Sequence, residues 1–264
     1  MIITDKFVMI NFPKTGTAFT RKILMDLHKN HSTRDKILFK LGLKKQEHFQ
    51  NLLLPNIRTI SERKDFMNEH GICDQIPEDH KSKPIASIKR DVFARYISIY
   101  NYEHWKKWPF LDLEIVREKF PKYPELGFEE FVRFLIEFNP LSYLPQINRK
   151  IPVGPLTSQY ILFYFKNSFQ VLKKMDAEYL SEKKYLADRY KVHFLDQANL
   201  NKDLYDFLLQ MGYEKNRIAY ILDAPKTNNS TPKDKGVDDY FSDELKALVL
   251  KEESLLFELN AIEN

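Results

Sequence analysis

The sequence predicts an α/β fold in which a mainly parallel sheet is flanked by helices. Three stretches of the chain predict it. Each is a short strand-like segment, almost continuously apolar in the first case, then a polar turn, then a segment that reads as a helix. Apolar runs without alternation mark strands buried on both faces, as parallel strands are.

The first unit is a strand from Lys6 to Phe12, a loop from Pro13 to Thr17, and a helix from Ala18 to Leu27 with Phe19, Ile23, Leu24 and Leu27 on one face. The second is a strand from Pro84 to Lys89 that ends in Arg90 and Asp91, where Asp91 is the expected N-cap of a helix running through Trp105. The third is a strand from Lys191 to Leu195 and a helix from Lys202 to Met211 that Gly212 can terminate.

The intervening segments read less clearly. From Thr33 to His80 there is helical patterning around Ile37 to Leu43 and Phe49 to Leu54, with no clean strand. Prolines at 109, 121, 124, 140, 145, 152 and 155 break residues 108–155 into a Pro-rich excursion around one helix, Phe128 to Phe138. A long helix from Thr157 to Met175 follows. Beyond a polar stretch, Ser242 with Asp243 and Glu244 opens a last helix to about Ala261. With no repeat and no linker visible, residues 1–264 read as one domain.

Composition narrows the function. A chain of 264 residues, 43% hydrophobic and 30% charged, can bury a sizeable core. Its 41 basic and 37 acidic side chains leave a net charge of +4, too balanced for a protein that binds nucleic acid over its surface, so an anion site has to be local. Cys73 is the only cysteine, which excludes an internal disulfide. No apolar run approaches the ~20 residues that span a bilayer, and the N-terminal one is too short for a signal-peptide core. A soluble, cytoplasmic protein is the expectation.

The local anion site is predicted at Pro13-Lys14-Thr15-Gly16-Thr17, between a buried strand and a helix start. Amides at a helix N-terminus have no partners within the helix and carry the positive end of its dipole. Gly16 admits close approach of the backbone, Thr15 and Thr17 offer hydroxyls, and Lys14 adds a compact positive charge. The segment lacks the first Gly of GxxxxGK[ST] and places its Lys before the Gly, which disfavours an ordinary nucleotide-triphosphate loop. A second cluster is Arg90 through Tyr100, where Arg95 and Ser98 share a helix face with Tyr102 just beyond it.

Together these segments resemble the sulfotransferase family that uses 3′-phosphoadenosine 5′-phosphosulfate. The loop is similar to the family's 5′-phosphosulfate loop, and Arg90 and Ser98 stand at the spacing of the pair that grips the 3′-phosphate. Where the family has Pro two residues after the Arg, this chain has Val92. Lys233-Asp234-Lys235-Gly236 resembles the family's late loop over the 3′-phosphate.

The resemblance implies a three-layer, P-loop-like sulfotransferase fold, with Lys14, Thr15, Gly16, Thr17, Ala18, Arg90, Ser98, Lys233, Lys235 and Gly236 holding the cofactor. It implies that Lys14 stabilises the leaving phosphate, and that a His or Glu takes the proton of a small-molecule or glycan acceptor. His70 is the first candidate base, with Glu47 and His48 next. No metal is implied, and the spacing of His70, Cys73 and His80 fits no common zinc pattern. A nucleotide or small-molecule kinase with an unusual phosphate loop, and a non-catalytic binding protein that keeps the fold, remain open alternatives.

Overall fold

A computed structural model describes residues 1–29, 33–43, 45, 47–55, 67–107, 112–138, 153–225 and 235–262. They form two compact units, one drawn from residues 1–57, 63–90 and 191–228, the other chiefly from 91–190 and 229–264.

The first unit carries a five-stranded sheet. Its strands are β1 (Ile2–Thr4), β2 (Val8–Met9), then, after helix α1 (Thr17–Lys29), β3 (Phe49–Asn51); a separate ribbon pairs β4 (Leu54–Pro55) with β5 (Met67–Asn68); β6 (Ile85–Lys89) and β7 (Val192–Asp196) complete the sheet. The order is β3-β1-β2-β6-β7. β2, β6 and β7 run parallel, with Val8 opposite Ile85 and Ile85 opposite Val192, and only β1 runs against its neighbours.

Parallel pairing brings the C-terminal ends of β2 and β6 side by side, so the segments that follow Met9 and Lys89 emerge at one edge of the sheet. That single fact positions the site. One face packs Phe7, Met9, Ala86 and Leu195 under Leu24 of α1 and Phe207 of the Leu200–Gln210 helix. The other face carries Ile3, Val8, Ile10 and Ser87, which are also buried. A sheet covered on both faces explains why these strands read as unbroken apolar runs.

Several sequence expectations are corrected by the fold. The segment Phe49 to Leu54, read as helical, forms two short strands, because the open edge of β1 needs backbone partners and Phe49, Gln50 and Asn51 supply them opposite Thr4, Ile3 and Ile2. The strand expected from Lys6 is the second arm of a hairpin whose first arm, β1, carries no sequence signal long enough to read.

The second unit is helical, and three of its expected helices are broken, the one from Ser242 to about Ala261 at Glu253. The helix that Asp91 caps, by accepting from the Ala94 amide at 2.8 Å, stops at Tyr102 because Glu103 turns left-handed at φ 53. The helix read from Thr157 to Met175 is two, Pro155–Tyr164 and Ser168–Lys174. Between them the chain pairs with the segment before β7, through Lys166 N to Asp188 O and Tyr190 N to Tyr164 O, both 2.8 Å, and Asn167 turns left-handed at φ 51. Among the described residues, no helix is long and apolar enough to cross a membrane.

A buried histidine gives the first unit a pH dependence. His28 is 2% exposed; its Nδ1 lies 2.7 Å from the Leu24 carbonyl and its Nε2 2.9 Å from the Tyr213 hydroxyl. A carbonyl only accepts, so Nδ1 carries a proton. Burial lowers its pKa more than the Leu24 carbonyl and the Glu47 charge raise it. The unfolded chain then binds more protons below about pH 6.5, so this contribution is whole above that pH and is lost as pH falls through it. Urea midpoints should therefore drop below about pH 6.5, and His28→Phe, which has nothing to protonate, should show a shallower drop.

Candidate anion-binding site

The site is built where β2 hands over to α1. Phe12 closes the turn by accepting the Thr15 hydroxyl at 2.8 Å. Lys14 and Gly16 on either side of Thr15 are both left-handed, at φ 65 and φ 104. Alternating backbone of this kind turns successive amides toward one concavity. A non-glycine residue in this region is strained by roughly 1 kcal/mol or more, which Lys14 sustains and Gly16 avoids. The first helical bond runs from the Phe19 amide to Gly16 O at 3.1 Å, and the first turn of α1 contains no acidic side chain. The positive end of that helix is not neutralised by its own sequence.

Two expected donors have other work. Thr15 is fully buried and its proton is committed to Phe12, so it shapes the loop from within. The open face of Gly16 is filled by protein, since a Cβ there would stand 3.1 Å from Leu200 Cδ2 and 3.5 Å from Gln197 Cγ. Ala198, Asn199, Asn201 and Lys202 line an open cavity of about 350 Å³ together with Leu222 to Ala224, and no residue from Pro13 to Thr17 lines it. Thr17 and Ala18 begin α1 and are half-buried.

Arg90 joins the same loop. Its Nη1 donates to the Lys14 carbonyl at 3.2 Å. Sequence alone assigns the two cations to separate loci; neighbouring parallel strands bring them to one. Burial, and then the Arg90 charge, pull the Lys14 ammonium down to about 8 from 10.5. Two cations held close in a half-buried loop form a locus for a polyanion.

The three candidate bases are sorted by the edge of the sheet they occupy. His70 lies at the loop edge: its Nδ1 is 2.7 Å from the carbonyl of Asn11, three residues before Lys14. That carbonyl fixes the Nδ1-protonated tautomer and leaves the basic lone pair on Nε2. Glu47 is elsewhere. It accepts from Arg217 Nη1 at 2.8 Å and sits 3.9 Å from His28, which is eleven residues past Thr17, about 16 Å along α1. Burial raises its pKa, but the Arg217 bond and charge bring it below the ordinary value, so Glu47 is a paired carboxylate. His48 is exposed, with its amide on Asp5 in the β1–β2 turn at 2.7 Å, at the opposite edge of the sheet from the loop.

The remaining expected cofactor residues belong to the second unit. Ser98 is 2% exposed, so it is not a surface residue of its helix. Lys235 is exposed, with its ammonium 5.9 Å from the centroid of Tyr240. The amide of Gly236 is committed to Asp239 Oδ2 at 2.6 Å. Lys233 lies outside the described residues. Among the described residues, no group of three His, Cys, Asp or Glu side chains could hold a metal ion.

Sequence reading missed Asn11, whose role depends on a contact 59 residues away in the chain. Its side chain is 1% exposed, and neither Nδ2 nor Oδ1 has a hydrogen-bond partner among the described residues. A buried polar group left unpaired costs about 1–3 kcal/mol. Asn11→Leu, which keeps the carbonyl that holds His70, should therefore leave thermal stability unchanged or raise it; a large loss would show that the amide is satisfied.

Comparison with known proteins adds no relative: no family model matches the chain, and neither does any curated protein or solved structure.

Proposed function

We propose that the chain is a sulfotransferase of P-loop-like fold that moves a sulfuryl group from 3′-phosphoadenosine 5′-phosphosulfate to an acceptor hydroxyl or amine. One observation carries the reading: Lys14, Arg90 and the amide end of α1 meet at the carboxyl edge of two parallel strands. An open α/β sheet binds its ligands at that edge. The donor set fits a phosphosulfate, with two cations and helix amides against a polyanion, and no carboxylate in the first turn of α1 to repel it.

The donor molecule supplies an activated sulfuryl group on a phosphate leaving group. Transfer of such a group is in-line displacement, by analogy with phosphoryl transfer, so the protein acts by positioning and by charge. Lys14 holds positive charge against the leaving oxygen. Arg90 anchors the anion and the loop together. His70 takes the acceptor proton at Nε2, its ring held by the Asn11 carbonyl. Ser98, Lys235 and Gly236 enter only through the family resemblance, as does a glycan acceptor.

The direct test is a thermal shift with 3′-phosphoadenosine 5′-phosphate against ATP. A site ligand at about 100 times its Kd stabilises by about 2.7 kcal/mol. The bisphosphate should raise Tm and ATP should not. Arg90→Ala should lose most of the bisphosphate effect, by about 1.5–3 kcal/mol for charge-assisted bonds. A shift with ATP alone would favour a kinase and overturn the sulfotransferase reading.

A further inference from the structure

We propose that the Arg21–Glu69 ion pair is a positioning latch that holds the His70 imidazole at a fixed distance from the anion-binding end of α1. The inference rests on the base role given to His70 above. Arg21 is four residues past Thr17, so the two stand on the same side of α1, one turn apart. Its Nη1 pairs with Glu69 Oε1, and Glu69 directly precedes His70. The pair thus joins the helix that receives the anion to the segment that carries the base.

Everything else about that segment points to restraint. β5 anchors its start through pairing with β4, Asn68 opposite Leu54. Asn68 Oδ1 accepts the His70 amide at 2.7 Å, and Asn11 O accepts its Nδ1–H at 2.7 Å. Gly71 packs closely against two side chains, since a Cβ would stand 2.5 Å from Leu54 Cδ1 and 2.8 Å from Met1 Cε. The Asn11 bond holds the ring against β2, and Gly71 packs the backbone against the Leu54 side chain of β4. Neither of these ties the segment to α1, and the Arg21–Glu69 pair does.

A purely structural role would look different. Both side chains are 32% exposed, and a pair this exposed adds little to stability. Displacing a catalytic group by about 1 Å, in contrast, costs ~100-fold in rate. The latch therefore predicts a large effect on His70 and a small one on the fold.

The test uses the full chain labelled with ¹⁵N-histidine, with the His70 ring signals identified by their loss in His70→Gln. In the wild type those signals should report a single Nδ1-protonated tautomer. In Arg21→Gln and in Glu69→Gln the segment freed from α1 should let the ring leave the Asn11 carbonyl part of the time, so that the two ring nitrogens shift toward each other as the ring exchanges between tautomers, and the charge-swapped Arg21→Glu/Glu69→Arg protein should recover the wild-type pattern. His70 signals that stay unchanged in both single variants, or a swap that fails to restore a disturbed pattern while the protein remains folded, would overturn the latch.

Melting with 3′-phosphoadenosine 5′-phosphate separates this from the reading beneath it. All the variants should keep the wild-type Tm gain, because the loop that receives the nucleotide is intact. No gain in any protein, wild type included, would sink the sulfotransferase reading, and the tautomer signals would still decide for or against the latch.

Discussion

Lys14→Met should reduce sulfuryl transfer by ~10²–10³, the usual loss when one preorganised group is removed from developing transition-state charge. The methionine keeps the apolar stem of the side chain, so stability should change by no more than about 1 kcal/mol. The acidity of the Lys14 ammonium, brought to about 8 by burial and then by Arg90, adds a second signature. In the proposed reaction the charged form does the work, so kcat/KM, which reports the free enzyme, should fall as pH rises through about 8. Lys14→Arg stays charged across that range, and its rate profile should lack the alkaline fall. kcat/KM for transfer measured from pH 6 to pH 10 decides the matter: equal values in wild type and Lys14→Met would remove the lysine from the chemistry.

Glu253→Ala should destabilise the second unit by about 3–5 kcal/mol. Glu253 is fully buried, and its carboxylate is the hub of four donors. The Tyr96 hydroxyl and the Leu156 amide reach Oε1 at 2.7 and 2.9 Å, while the Thr157 amide and hydroxyl reach Oε2 at 2.7 and 2.5 Å. Gly154, the N-cap of the Pro155–Tyr164 helix, has no side chain to serve that helix end, so Glu253 caps it from a distant part of the chain. Burial pushes the Glu253 carboxyl up, and the Thr157 and Tyr96 hydroxyls and the two amides pull it back.

Truncation would leave all four donors buried without an acceptor. Gly154→Ala should do similar damage, because a Cβ there would stand 2.4 Å from the carboxylate carbon. Urea unfolding followed by the emission of the two tryptophans, Trp105 and Trp108, measures the loss. A change below about 1 kcal/mol would mean that water replaces the carboxylate and that the hub is dispensable.

Glu253 also marks the limit of local sequence signals. The pattern from Ser242 to Ala261 reads as one helix, and the Ser242 cap is as expected, with its hydroxyl accepting the Leu245 amide at 3.2 Å. The helix nevertheless stops at Glu252 and resumes at Ser254. Glu253 reaches partners about a hundred residues earlier in the chain, and nothing within its own helix announces them. The same holds at Asn167, where pairing with residues 188–190 overrides a continuous apolar periodicity.

Features that depend on neighbours in the chain were legible before any fold was known. The apolar runs of β2, β6 and β7, the caps at Asp91 and Ser242, and a Lys-Thr-Gly turn ahead of a helix are all local, because strand burial, capping and backbone freedom act within a few residues. Which side chains share an edge of the sheet was settled by folding. Parallel pairing of β2 with β6 set Arg90 against Lys14, the Asn11 carbonyl drew His70 to the loop edge, and the Arg217 and Asp5 contacts held Glu47 and His48 away from it. Those placements rest on hydrogen bonds and ion pairs between residues distant in the chain, which leave no periodicity in the sequence to read.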